Sequence, residues 1–317
     1  MTRTGKSNTV KKVIDATTEI SQKASPSTQI VSTSVADNLK SFDDYGNPKL
    51  PVGQIIFDIN GEYANANMQD SGTAIFEKYR DLTTRYSVVD KEDFKILKLN
   101  FYNDIEAGFD LICNTLEGET GDYIKSFLAI DFTKPNPNEN RGDYTRWQRK
   151  VAAYQCCLSK AGYRVPSGFK LTFQGKKEIN CSIKENDEID PSKGISIDDA
   201  ITWFTWVAEN YNSNEFFDNY KKKEGKEWLD EELKSILVML TQKRTLSSGQ
   251  VSGYRKLVSL NKYHTNTTKS SFTQEILEDL RNGKIVIIDL SQGDPKIQQT
   301  FSERICKSVF QDAMNSF

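Results

Sequence analysis

Thr4-Gly5-Lys6-Ser7 reproduces the last part of the phosphate-binding loop G-x-x-x-x-G-K-[ST]. That chemistry needs backbone N–H groups turned inward at phosphate oxygens, with glycine where a side chain would clash. It also needs a lysine reaching the β- and γ-phosphates and a hydroxyl for Mg²⁺. Gly5, Lys6 and Ser7 supply these groups, flanked by Thr2, Arg3, Thr4 and Asn8 as further nucleotide-binding candidates. A helix that follows at once adds its positive end. Taken alone, Gly-Lys-Ser is short enough to arise by chance, and an exposed basic turn is the competing reading.

A second constellation lies at Ile55-Ile56-Phe57-Asp58-Ile59-Asn60-Gly61-Glu62-Tyr63. An apolar strand ending in Asp58 places a carboxylate at the C-terminal edge of a parallel sheet, where α/β proteins bind ligands. Gly61 lets the chain turn and Glu62 returns a second acid. Asp58 and Glu62 are therefore the candidates for activating water, and Ser7 with Asp58 for holding Mg²⁺. An Asx-type turn after the strand, with Glu62 solvated, accounts for the same residues.

These groups need elements to position them. Helical spacing of Val10, Val13 and Ile14 predicts a helix from about Asn8 to Gln22. Strands are predicted at Gln54–Asp58, Lys95–Leu99 and Lys284–Asp289, the last from its β-branched run. Between them the pattern is helical: about Tyr102 to Asp131, Arg141 to Gly162, Ile195 to Lys223, and Trp228 to Gln242, with a small hairpin at Lys170–Lys184. Phe272, Ile276 and Leu280 mark a helix stopped by Gly283, and Ile297, Phe301, Ile305 and Val309 mark another. The expectation is a three-layer α/β core over 1–134 and 266–317, interrupted by a helical insertion over 135–265.

Hydrophobic residues make up 37% and charged residues 27% of the 317 positions, an ordinary soluble balance. A net charge of −2 argues against a protein that coats DNA and is silent on one that grips it through a few loops. The five cysteines (Cys113, Cys156, Cys157, Cys181, Cys306) lack C-x-x-C spacing, and His264 is the single histidine. That composition argues against zinc and for a reduced, cytoplasmic setting. No apolar run has the length to cross a bilayer, so no membrane association is expected.

The two motifs, with Gly283-Lys284-Ile285-Val286-Ile287-Ile288-Asp289-Leu290-Ser291 as a third in order, resemble the HerA branch of the FtsK–HerA superfamily over roughly 1–100 and 272–317. The resemblance implies a RecA-like P-loop NTPase core, ATP with Mg²⁺, a homo-hexamer, and ATP-driven movement of double-stranded DNA by a translocase or helicase. It further implies a nuclease or another DNA-processing or defence partner. Asp289 ends an apolar run as a Walker B aspartate does, but Asp-Leu-Ser fits the family's preceding strand better. On the family's pattern the strand and glycine opening the P-loop would precede residue 1, and the Walker B acids would follow residue 317. The expectation is thus a middle portion, inactive in isolation.

Two other functions fit the same residues: a non-hydrolysing P-loop scaffold that assembles a nuclease or defence complex, and a conjugation-type motor. Candidate DNA-contacting cations are Arg141, Arg146, Arg149, Lys150 and Lys221-Lys222-Lys223, with solvated helix faces as the simpler account. Tyr154, Trp203 and Trp206 read as core.

Overall fold

Short apolar runs that end in aspartate pair side by side. Gln54–Asp58 (β1) and Ile285–Asp289 (β4) form a parallel ladder in which Ile56 lies opposite Ile287 and Asp58 opposite Asp289. Thr83–Ser87 (β2) pairs with the other side of β4, and Lys95–Ile96 (β3) with β2, giving the all-parallel order β1-β4-β2-β3. The computed structural model describes residues 4–24, 42–66, 73–183, 189–246, 248–266 and 272–316, with side chains over 8–315 of these.

Residues paired in register on parallel strands face the same side of the sheet. On one side, Ile285 and Ile287 form a core with Ile14 of α1 (Thr4–Ser21), Ala64 and Ile75 of α2 (Ile75–Lys78). On the other side α10 (Phe272–Arg281) packs against β4. The mean plane is therefore covered on both faces, as a parallel sheet requires. The buried stripe of α1 is Ile14, Thr18 and Ser21, spaced four and three, while Val10 and Val13 are exposed. The expected Val10-Val13-Ile14 face is thus rotated, because Thr18 and Ser21 find partners at the sheet: Gln54 Nε2 donates to Thr18 Oγ1 at 2.9 Å and Val52 N to Ser21 Oγ at 2.7 Å.

α10 (Phe272–Arg281) carries Phe272 and Ile276 inward, and α11 (Pro295–Ser316) carries Ile297, Phe301 and Ile305. Phe272 and Phe301 meet edge to face at 5.5 Å. Gly283, at φ +73°, ends α10, and a Cβ there would lie 2.5 Å from Pro51 Cβ.

The chain divides into two compact units, Met1–Lys98 with Lys269–Phe317 and Leu99–Thr268. The division falls at 98/99 rather than the expected 134/135. The cause is that Asp122–Leu128 (α4) packs on Glu231–Thr241 (α9), which ties the segment after 99 to the helical unit. In that unit α9 also packs on Arg141–Lys160 (α5), Ile197–Asn210 (α7) and the 3-10 helix Gly253–Tyr263. Ile105–Leu116 (α3), Lys177–Asn180 (α6) and Glu215–Glu224 (α8) complete it. The predicted hairpin at Lys170–Lys184 is instead a lone bridge, Leu171 to Ile195, followed by α6. The predicted helix Ile195–Lys223 is two, because Asn214 caps a new one through Phe216 N.

Candidate functional site

Asp58, Asp289 and Ser87 stand in register across β1, β4 and β2 at the C-terminal edge of the sheet. By strand alternation all three lie on the face that packs α1. Asp58 is 2% exposed and its carboxylate holds the next loop: Oδ1 accepts from Glu62 N at 3.0 Å, and Oδ2 from Tyr63 N and Ala64 N at 2.8 Å each. This is the Asx-type turn, and it leaves one lone pair on Oδ1. Gly61, at φ +75°, makes the turn possible, and a Cβ there would crowd Asn65 and Ser291. Glu62 is half-buried on the loop that Asp58 organises.

Asp289 has a different set of partners. Lys91 Nζ forms an ion pair with Oδ2, while Ser291 gives Oδ1 its N–H at 2.9 Å and its hydroxyl at 2.6 Å. Burial pushes the Asp289 carboxyl up, but the bonds from Lys91 and Ser291 outweigh it and hold the group below its usual value. Arg85 of β2 sits between the rings of Phe76 and Phe94, 3.9 and 4.2 Å from their centroids, and donates to Ala64 O at 2.9 Å. Burial lowers the Arg85 guanidinium below its ordinary value, with Asp93 opposing. Lys91 and Arg85 carried no sequence signal, since each gains its role from residues distant in the chain, whereas Ser291 closes the Gly283–Ser291 motif two positions after Asp289.

The polarity of α1 decides where the Gly-Lys-Ser triplet lies. Thr18 and Ser21, near its C-terminal end, contact Gln54 and Val52 at the start of β1, so the helix runs antiparallel to the strands. From Thr18 back to Ser7 the helix rises about 16 Å, and from Gln54 to Asp58 a strand advances about 13 Å. By that count the first turn of α1 lies towards the C-terminal ends of the strands. Thr4, Gly5, Lys6 and Ser7 are already helical, so the helix starts earlier than the expected Asn8, and Asn8 itself is exposed. The first N–H groups of a helix have no intrahelical partner, so this start leaves donors at the N-terminal end of α1. Thr2 and Arg3 lie outside the described residues. For Mg²⁺, a hydroxyl and one carboxylate suffice when phosphates and water complete an octahedron. Asp58 has only its remaining Oδ1 lone pair to offer to that role, and the side chain of Ser7 lies outside the described residues.

The cation candidates for DNA divide. Lys150 turns inward, its Nζ on Asp131 O and Glu232, and Arg149 is 9% exposed. Arg141 and Lys221–Lys223 are exposed, Lys221 paired with Glu227 at 2.9 Å. Tyr154 and Trp203 are fully buried and Trp206 half-buried, as core residues. His264 is buried: Phe101 N approaches its Nδ1 at 3.4 Å and its Nε2 bonds Arg164 O at 2.8 Å. Cys156 and Cys157 are buried, while Cys181 and Cys306 are exposed. Among the described residues no helix is long and apolar enough to cross a membrane. Comparison with protein-family models, curated proteins and solved structures finds no match.

Proposed function

We propose that the chain is an ATP-binding subunit of a HerA-like, ATP-driven double-stranded DNA translocase built on a RecA-like core. One observation carries the reading. The Gly5-Lys6-Ser7 triplet opens α1, a helix whose Ile14 packs on the sheet face on which Asp58 and Asp289 stand in register. A helix start that carries a lysine and a hydroxyl in its first turn is what a triphosphate with Mg²⁺ requires. In this assignment Lys6 compensates phosphate charge and Ser7 holds Mg²⁺. Asp58 positions the loop, and Glu62 is the acid that orients water. Assembly as a hexamer, movement of duplex DNA and a nuclease or defence partner belong to the same proposal through the resemblance.

The scaffold reading has an observation of its own. Both edge aspartates are already engaged, Asp58 by three N–H groups and Asp289 by Lys91 and Ser291. A carboxylate so held is a poor base. Titration with a fluorescent ATP analogue and Mg²⁺ tests binding, and phosphate release tests turnover. Lys6→Ala should weaken nucleotide binding at least tenfold. Equal binding by parent and Lys6→Ala would refute the nucleotide site; binding without turnover in the assembled protein would favour the scaffold.

A further inference from the structure

The helical unit contains a small cleft of about 190 Å³ bordered by four cations, Arg146, Arg149, Lys176 and Lys226, and by no carboxylate. Its floor is Arg149. That side chain is 9% exposed and its guanidinium lies 4.4 Å from the ring centroid of Trp228, itself 5% exposed. Its Nε is buried without a hydrogen-bond partner. Burial pushes the Arg149 guanidinium down to about 10, with Asp230 opposing, so it stays charged at neutral pH. A buried guanidinium nitrogen without an acceptor is rare in a folded protein, and among the described residues no side chain pairs with a terminal nitrogen of Arg149 to neutralise its charge.

We propose that this cleft is a binding site for a phosphate group. The arginine fork presents parallel donors that match two phosphate oxygens, and Trp228 fixes the plane of that fork. Thr145 and the exposed Lys176 and Lys226 border the opening, where they can supply the remaining contacts. Two carboxylates lie near. Asp143 is paired with Arg146, and Asp230 acts on Arg149 through charge while its side chain caps α9 at Leu233 N. Four cations against two acids leave a surplus of two positive charges, close to the charge of a phosphate. The volume lies below the range of about 300–1,000 Å³ that holds whole small molecules, so the site takes the phosphate group and not its carrier. The carrier is either a nucleotide or free phosphate, or the backbone of a nucleic acid. The inference is independent of the nucleotide site at α1.

The test uses the full chain in a Lys6→Ala background, which removes any phosphate bound at α1. Calorimetric titration with inorganic phosphate should show one site, with tryptophan fluorescence changing as Arg149 shifts on Trp228. Arg149→Met should abolish the site, and Lys176→Gln with Lys226→Gln, both exposed and safe for folding, should weaken it about tenfold. No saturable binding, or binding unchanged in the double variant, overturns the proposal. Short duplex DNA and ATP as competitors separate the carriers. Displacement of phosphate by DNA, with a salt slope smaller by about two in the double variant, identifies a nucleic-acid backbone. Displacement by ATP alone identifies a nucleotide.

Discussion

Replacing Lys91 by Met should destabilise the α/β unit by about 3 kcal/mol at neutral pH, and the loss should fade on acidification. The Asp289 side chain is fully buried and that of Lys91 is 17% exposed. Removing one partner of a buried pair costs about 3–5 kcal/mol, since it strands the other charge. Here the low end applies, because Ser291 retains two bonds to the carboxylate and Lys91 is partly solvated in the parent. With a urea slope of about 3 kcal/mol/M, the midpoint should fall by about 1 M. The pH dependence follows from linkage. In the parent, the lowered Asp289 value adds stability above the unfolded value of about 3.9, and that stability is lost as pH falls through the folded value. In Lys91→Met the burial contribution dominates, the folded value rises above 3.9, and ionised Asp289 costs stability at neutral pH. Protonation relieves that cost, so the gap between the proteins should narrow down to about pH 4 and close below it, as the parent loses its own contribution. Because the chain has two units, the transition is assigned by hydrogen exchange at Ile285–Asp289. A loss that stays constant with pH would show that Lys91 matters only through packing, such as its approach to Phe94 at 5.5 Å, and would refute the argument.

Asp58→Asn replaces an acceptor of two N–H bonds by an NH₂ group or forces the amide to flip, and should cost about 1–3 kcal/mol. Faster amide exchange at Glu62, Tyr63 and Ala64 would locate the damage, and unchanged protection there would contradict the turn. Gly283→Ala should lower Tm by more than the cost of the left-handed backbone alone, about 1 kcal/mol, because its methyl meets Pro51. An unshifted Tm would show that the helix end repacks freely. Glu227 should titrate near about 2 by NMR, because hydrogen bonds from Lys234, Lys221 and Tyr211 favour its ionised form. Since this value is depressed, whatever stability the cluster adds is present above the ordinary carboxylate range and lost towards about pH 2. A carboxylate titrating near 4 would mean that the cluster is open in solution.

The strands that were legible in the sequence are the ones whose chemistry is uniform. Ile285–Asp289 and Gln54–Asp58 are apolar runs ended by an acid, and they pair with each other as their pattern suggests. Thr83–Ser87 was not legible, because Thr-Thr-Arg-Tyr-Ser has no apolar period. It enters the sheet by placing Arg85 against two rings and a carbonyl, partners that Phe76, Phe94 and Ala64 supply from outside the strand. The limit of the insertion was misplaced for a related reason. Residues 102–131 read as helix in either unit, and only their packing on α9 assigns them.

The acids at the edge show where sequence reading stops. The strand-and-turn pattern singled out Asp58 and Glu62 and set Asp289 aside, yet the role of each depends on its partners, and Lys91 lies 198 positions from Asp289. The two explanations of Asp58, a carboxylate for chemistry or the anchor of a turn, differ in the number of N–H groups that reach it. With three donors it is an anchor, and its burial beside Asp289 is tolerable only because Lys91 neutralises the second charge. That division of labour sets what the site can do. One aspartate holds the loop and one holds a lysine, so under the proposed function Glu62 is the acid left within the motif to orient water. A Glu62→Gln variant that turns over ATP at the parent rate would then leave this edge with a binding role alone.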